Sequence, residues 1–280
     1  MIANARMYSV TPQVAALWRR LLGVAMAKAG AKVEIVDHVP PAPIAELWQR
    51  PDKAAVFMCG LPYSLATPRP ALVVAPVPSP QAYGGRACYW TDLVVRADSP
   101  FETLAQTFGH RLALTTPESQ SGFAAPLYEL MGHGGTKPLY SEIIEPCFTP
   151  MGAITSVIEG NADVAPLDSY AFALIGKYAP ELTKQVRTVA RTEPTAVPAL
   201  VASSERGAAS ANIAEAFLAL GIDPEARLLM DELLLQRFAV PKVEEYDALR
   251  KRFETMTAFW RRHALAEKVH PAFADAFAVG

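Results

Sequence analysis

The sequence predicts an α/β fold of two lobes, and three observations carry that prediction. Between residues 112 and 177, short apolar runs alternate with helical patterns in βαβαβα order, which argues for a mostly parallel sheet flanked by helices. A second helix and strand alternation fills the first 75 residues, and strand-like stretches near 89–96 and 186–200 join the two segments. One lobe is therefore expected to be discontinuous, with 1–90 folding beside 193–280 and 91–192 inserted, joined by two hinge crossings with a ligand cleft between the lobes. The length of 280 residues, at roughly 150 per domain, agrees with two domains.

Thr11-Pro12 reads as an N-cap followed by proline at the first helical position. Leu17, Leu21, Val24 and Ala25 then recur at helical spacing up to Gly30. Residues 32–36 alternate as a short strand, and 54–58 and 71–75 are apolar runs short enough for buried strands. The first of these ends in Cys59-Gly60-Leu61-Pro62-Tyr63, and the Pro, Ser and Gly of 77–85 mark a loop. Residues 89–96 make a strong strand centred on Leu93, Val94 and Val95, and Asp98-Ser99-Pro100 turns the chain into a short helix. Strands at 112–115, 139–144 and 164–167 then alternate with helices at 122–131, 151–159 and 169–177. Further strands are expected at 186–190 and 197–202, and helices at 211–220, 226–237 and 243–263.

Composition narrows the function. Hydrophobic residues make up 51% and charged residues 19%, which excludes disorder as the main state. With 26 Lys plus Arg against 28 Asp plus Glu, the net charge of −2 gives no positive field to gather a phosphate backbone, so nucleic acid is not an expected partner. No run reaches the 18 or so apolar residues of a bilayer span, and no membrane insertion is expected. The first thirty residues place Arg19 and Arg20 inside the apolar stretch and read as an amphipathic helix, not an export signal; on the residues alone, a cytoplasmic chain is expected. Cys59, Cys88 and Cys147 lie far apart without a CxxC, and His38, His110, His263 and His270 lack paired spacing. Neither a disulfide framework nor a metal site is expected, and no cofactor is implied.

The most informative segment is Thr115-Thr116-Pro117-Glu118-Ser119-Gln120-Ser121-Gly122, between an expected strand and an expected helix. First-turn amides of a helix are unpaired and carry partial positive charge, so this turn can offer hydroxyl and amide donors to one oxyanion, with Gly122 permitting close approach. A serine that only caps the helix fits the same pattern. Asp168 stands at a strand end, placed to receive an ammonium or hydroxyl group or to cap the next helix, and Thr149-Pro150 carries the same two readings. Tyr8, Tyr63 and Tyr89 join an apolar ring to a polar tip and suit either a cleft wall or packing at a strand end. Gly132-His133-Gly134-Gly135-Thr136-Lys137 lacks P-loop spacing and follows a helix, so it reads as a C-cap and turn. Glu245, Arg250, Arg252 and Glu254 read as a solvated helix face.

Taken in order, Tyr89-Trp90-Thr91-Asp92-Leu93-Val94-Val95-Arg96-Ala97-Asp98-Ser99-Pro100, the Ser119-Gln120-Ser121-Gly122 loop and the stretch 153–168 with Glu159-Gly160-Asn161-Ala162-Asp163-Val164 resemble a known family. It is the phosphonate-binding-protein-like solute-binding proteins of ABC transporters, within the type II periplasmic-binding-protein fold, and the resemblance spans most of the chain. It implies two α/β lobes that close on a small anion, the serine loop gripping a phosphonate or phosphate and Asp168 meeting a ligand amine. It also implies a periplasmic setting, an ABC permease as partner and no catalysis. Phosphonate binders of the family commonly carry Ser-His where this chain has Thr149-Pro150-Met151, so Thr149 would replace one anion contact. Relatives of the fold such as menaquinone-pathway lyases and thiamine-pyrimidine synthases supply an enzyme as the alternative, and a ligand sensor is a third reading.

Overall fold

Residues 1–134, 138–204 and 207–263 are described by the computed structural model. They contain strands β1 (Ile2–Asn4), β2 (Glu34–Ile35), β3 (Lys53–Met58), β4 (Ala71–Pro78), β5 (Cys88–Tyr89), β6 (Thr91–Arg96) and β7 (Arg111–Ala113). After them come β8 (Glu142–Ile144), β9 (Ala165–Asp168), β10 (Val186–Arg191), β11 (Thr195–Ala196), β12 (Ala199–Ala202) and β13 (Leu235–Ala239). Two compact units share the chain: Met1–Tyr89 with Ala196–Tyr246, and Trp90–Thr195 with the described residues from Asp247 to His263.

In the first unit, six strands form one sheet in the order β13-β4-β12-β3-β1-β2. β1 runs parallel to β2 and β3, whereas β3 with β12, β12 with β4, and β4 with β13 are antiparallel. Every residue of β3 is buried, as a central strand covered on both faces requires. The Pro12–Lys28 helix starts where Thr11 Oγ1 accepts the Val14 amide at 3.2 Å. Its buried stripe of Val14, Trp18, Leu21, Leu22 and Ala25 follows the helical period, and each such large side chain contributes about 1.5–3 kcal/mol of apolar burial.

In the second unit, β6 lies between β10 and β9, antiparallel to both, while β7 and β8 pair in parallel. A parallel bridge from Leu112 to Val164, with the Ala113 amide donating to the Val164 carbonyl at 2.8 Å, sets β9 beside β7. Arg111 reinforces that junction: Nε reaches Asp163 Oδ2 at 2.9 Å and Nη2 reaches Oδ1 at 3.1 Å, a bidentate pair. The core is built from Val94, Ala113, Ile154, Val157 and Leu167. Buried Asp92 ties β6 to β10, accepting from Arg191 Nε at 2.7 Å, Thr188 Oγ1 at 3.2 Å and Trp90 Nε1 at 3.0 Å.

The α/β class is as the sequence predicts, with four corrections. The ladders are mixed rather than mostly parallel, because β6, β12 and β13 enter their sheets against their neighbours. The helix expected over 226–237 is Pro224–Glu232 followed by β13; Leu234, at φ 54°, ends the helical course, and an apolar run does not distinguish helix from strand by periodicity. β4 continues through Pro76 and Pro78 instead of becoming a loop at 77, paired with edge strand β13 across a register shift. The tail expected in the first lobe is divided, so the chain passes between units at three points rather than two. In the Val243–Arg261 helix, Tyr246 OH donates to the Val197 carbonyl at 2.8 Å in the first unit, and Trp260 Nε1 donates to the Leu127 carbonyl at 2.9 Å in the second. Residues 135–137 of the glycine turn and His270 lie outside the described residues.

Candidate functional site

The second unit brings three helix starts to one sheet edge. β9, β7 and β8 run in the same direction, and each is followed by a helix beginning beyond its C-terminal end. Ser119 Oγ accepts the Gly122 amide at 2.9 Å, Thr149 Oγ1 accepts the Gly152 amide at 3.0 Å, and Asp168 Oδ1 accepts the Tyr170 and Ala171 amides at 2.9 Å each. All three side chains therefore cap helices, which the sequence allowed beside ligand contact. A capping serine or threonine uses a lone pair on the amide and keeps its own O–H to donate outward. The partial positive charge of the helix ends favours an anion at this edge.

The serine loop is fixed from beneath. Its first turn, Gln120–Ala124, is a π-helical turn that leads directly into the Ala125–Leu130 helix, a local widening of the kind often found at functional sites. Thr91 Oγ1 donates to the Ser121 carbonyl at 2.9 Å, and the Thr115 amide donates to the Gly122 carbonyl at 3.1 Å. Glycine is required at 122: a Cβ there would lie 1.9 Å from Thr115 Oγ1. That Thr115 oxygen is buried and has no hydrogen-bond partner among the described residues. Thr91 also faces Asp168 in the β6/β9 register, so one strand residue links the serine loop to the acidic cap.

Beside it, the Cys147 amide donates to the Leu114 carbonyl at 3.0 Å and the Thr149 amide to the Cys147 carbonyl at 2.6 Å, closing a turn about Phe148. Phe148 has φ 56°, in the left-handed region that costs a non-glycine residue about 1–2 kcal/mol, and half its surface is exposed. Burial pushes the Cys147 thiol up from its ordinary value, which keeps it protonated and unreactive near neutrality.

Gln120 points into a cavity of about 60 Å³ shared with Thr192, Glu193 and Arg252, room for waters but far below a drug-sized pocket of roughly 300 Å³ or more. The tyrosines are placed elsewhere. Tyr8 is fully buried in the first unit, its ring 5.1 Å from Phe57 and 6.4 Å from Trp18. Tyr63 packs edge-on against Tyr246 at 5.1 Å with Arg69 over its ring, and Tyr89 is buried at the end of β5. Ser119, Gln120, Ser121, Gly122, Thr149 and Asp168 thus share a unit, and Tyr8, Tyr63 and Tyr89 belong to the other. Phe148 and the supporting roles of Thr91 and Thr115 are missed by sequence reasoning, because nothing local marks a strand threonine such as Thr91 as the support of a loop 30 residues away. Among the described residues, no group of three or more His, Cys, Asp or Glu could hold a metal ion.

Comparison with known proteins agrees with this architecture. PhnD1 from Prochlorococcus marinus, solved in complex with methylphosphonate, superposes with a TM-score of 0.74 at 15% identity, covering 91% of this chain and 97% of that one. A binding protein component of an ABC phosphonate transporter from Pseudomonas aeruginosa gives 0.70 at 15% identity, over 95% and 99%. A 96-residue stretch is 38% identical to a probable serine acetyltransferase 4 of Oryza sativa subsp. japonica; it covers 33% of this chain, which spans only 29% of that relative. The sequence model for periplasmic substrate-binding proteins of phosphonate ABC transporters matches residues 52–246. That match spans more than half of the chain, and the protein belongs to the family of ABC-transporter phosphonate substrate-binding proteins.

Proposed function

We propose that the protein binds a small phosphorus oxyanion, a phosphonate or phosphate, on the serine loop of its second unit and passes it unmodified to an ABC permease. The observation that carries this reading is the helix start at Ser119–Gly122, where a capping hydroxyl, a half-buried Ser121 and first-turn amides stand together at a sheet edge. Thr149 adds a donor at the same edge, and Asp168 supplies a carboxylate for an amine or hydroxyl on the ligand. Tyr8, Tyr63 and Tyr89 of the first unit are proposed as further ligand contacts. The family supports binding rather than turnover. Calorimetric titration with methylphosphonate and inorganic phosphate, followed by phosphorus NMR of the recovered ligand, tests the proposal. Saturable binding with the ligand returned intact is expected; conversion of the ligand, or binding only of uncharged or heterocyclic compounds, overturns it.

A further inference from the structure

We infer that Thr91 is a positioning residue that gives the serine loop its preference for highly charged anions, an inference that rests on the phosphorus-oxyanion reading above. A loop that wraps an anion presents carbonyl oxygens as well as amides, and a carbonyl turned toward the ligand repels it. Here two consecutive carbonyls are held from outside the loop: Ser121 by the hydroxyl of Thr91 in β6 at 2.9 Å, and Gly122 by the amide of Thr115, two residues past β7, at 3.1 Å. The carbonyl only accepts, so Thr91 must donate, and its hydroxyl proton is committed to the loop.

Thr91 is itself over-determined. It is 1% exposed, its amide donates to Thr192 Oγ1 at 3.0 Å, and its carbonyl accepts the Thr192 amide at 3.0 Å. The loop cannot slide off this support, because Gly122 lies flat against Thr115, whose Oγ1 is buried, without a hydrogen-bond partner among the described residues, and directed at the glycine face. Thr91 is buried and its hydroxyl is spent on the loop, so its role is separable from that of the serines.

The test is titration calorimetry of the full chain with methylphosphonate at pH 5.5 and pH 8.5, for wild type, Thr91→Val and Thr91→Ser, with melting curves for each. Valine keeps the volume and frees the Ser121 carbonyl to face the anion. Thr91→Val is expected to weaken binding about tenfold at pH 8.5, where the ligand is a dianion, and only about two- to threefold at pH 5.5, where it is a monoanion. Thr91→Ser, which keeps the hydroxyl, is expected to restore the wild-type pH profile whatever its melting temperature. Equal losses at both pH values, or affinity within twofold of wild type at pH 8.5, overturns the inference while leaving the binding reading intact. Absence of methylphosphonate binding by the wild type overturns both.

Discussion

The Thr91 hydroxyl, on β6, holds the Ser121 carbonyl at 2.9 Å, and the same residue faces Asp168 across the β6/β9 ladder. A sheet residue thereby sets the positions of a loop and a helix cap that are far apart in the chain. Its backbone is locked to Thr192, so the support is rigid before any ligand arrives, and the ordering cost of binding falls accordingly.

Ser119 and Ser121 should respond differently to alanine. Removing the Ser119 hydroxyl deletes a cap and is expected to cost about 1 kcal/mol of stability, read in denaturant melts. Removing the Ser121 hydroxyl leaves the cap in place; stability is expected to hold while affinity for methylphosphonate falls by about 1–2 kcal/mol. An unchanged affinity in Ser121→Ala takes the loop out of the binding site.

Gly122→Ala forces a Cβ into the space of Thr115 Oγ1. Overpacking of this kind costs about 1–3 kcal/mol, and a lowered melting temperature is expected. Adding Thr115→Ala removes the two nearest clashing atoms and leaves the Thr115 Cβ at 2.8 Å, so partial recovery of the melting temperature is expected. If the double variant is no more stable than Gly122→Ala, the contact is not the source of the loss.

The Arg111–Asp163 pair makes acid stability predictable in sign. Burial pushes the Asp163 carboxyl up, but its hydrogen bonds to the Arg111 side chain and amide, with the Arg111 charge, outweigh that, and the net shift is downward. A depressed folded value means that the stabilisation is present above the unfolded carboxylate value of about 3.9 and is lost as pH falls through the folded value. Asp163→Asn is expected to lower stability at pH 7 by about 1 kcal/mol, a modest figure because both side chains are partly exposed, and to flatten the decline below pH 4. Denaturant melts of both proteins from pH 3 to pH 7 check this, and parallel pH curves would refute it.

Trp260 anchors the last helix to the second unit through Leu127. Truncating this nearly buried indole to alanine is expected to cost about 3–5 kcal/mol. Hydrogen exchange should speed up at Ala125–Leu130 before it does in β3; loss of protection confined to β3 would assign the helix to the first unit instead.

Local signals were legible because local physics generates them. Thr11, Thr149 and Asp168 announce helix starts through the donors they satisfy two or three residues on, and the alternation of short apolar runs with helical stripes marks an α/β chain. The serine loop could be placed at a strand-to-helix turn for the same reason, and the ordered motifs around Tyr89–Pro100 and Ser119–Gly122 pointed to the family that the match over 52–246 establishes.

What depends on partners distant in sequence was not legible. β13 reads as a helical continuation until β4 offers its edge, and the tail helix reads as part of one lobe until Tyr246 and Trp260 find acceptors in different units. The roles of Thr91 and Thr115 are decided the same way: a threonine in a strand or in the turn after one is ordinary, and only the fold places the Thr91 hydroxyl or the Thr115 amide beneath a particular carbonyl. Sequence carries the chemistry of each group and its near neighbours along the chain. Tertiary structure decides which of those groups meet, because hydrogen bonds and packing act over a few ångströms of space regardless of separation along the backbone.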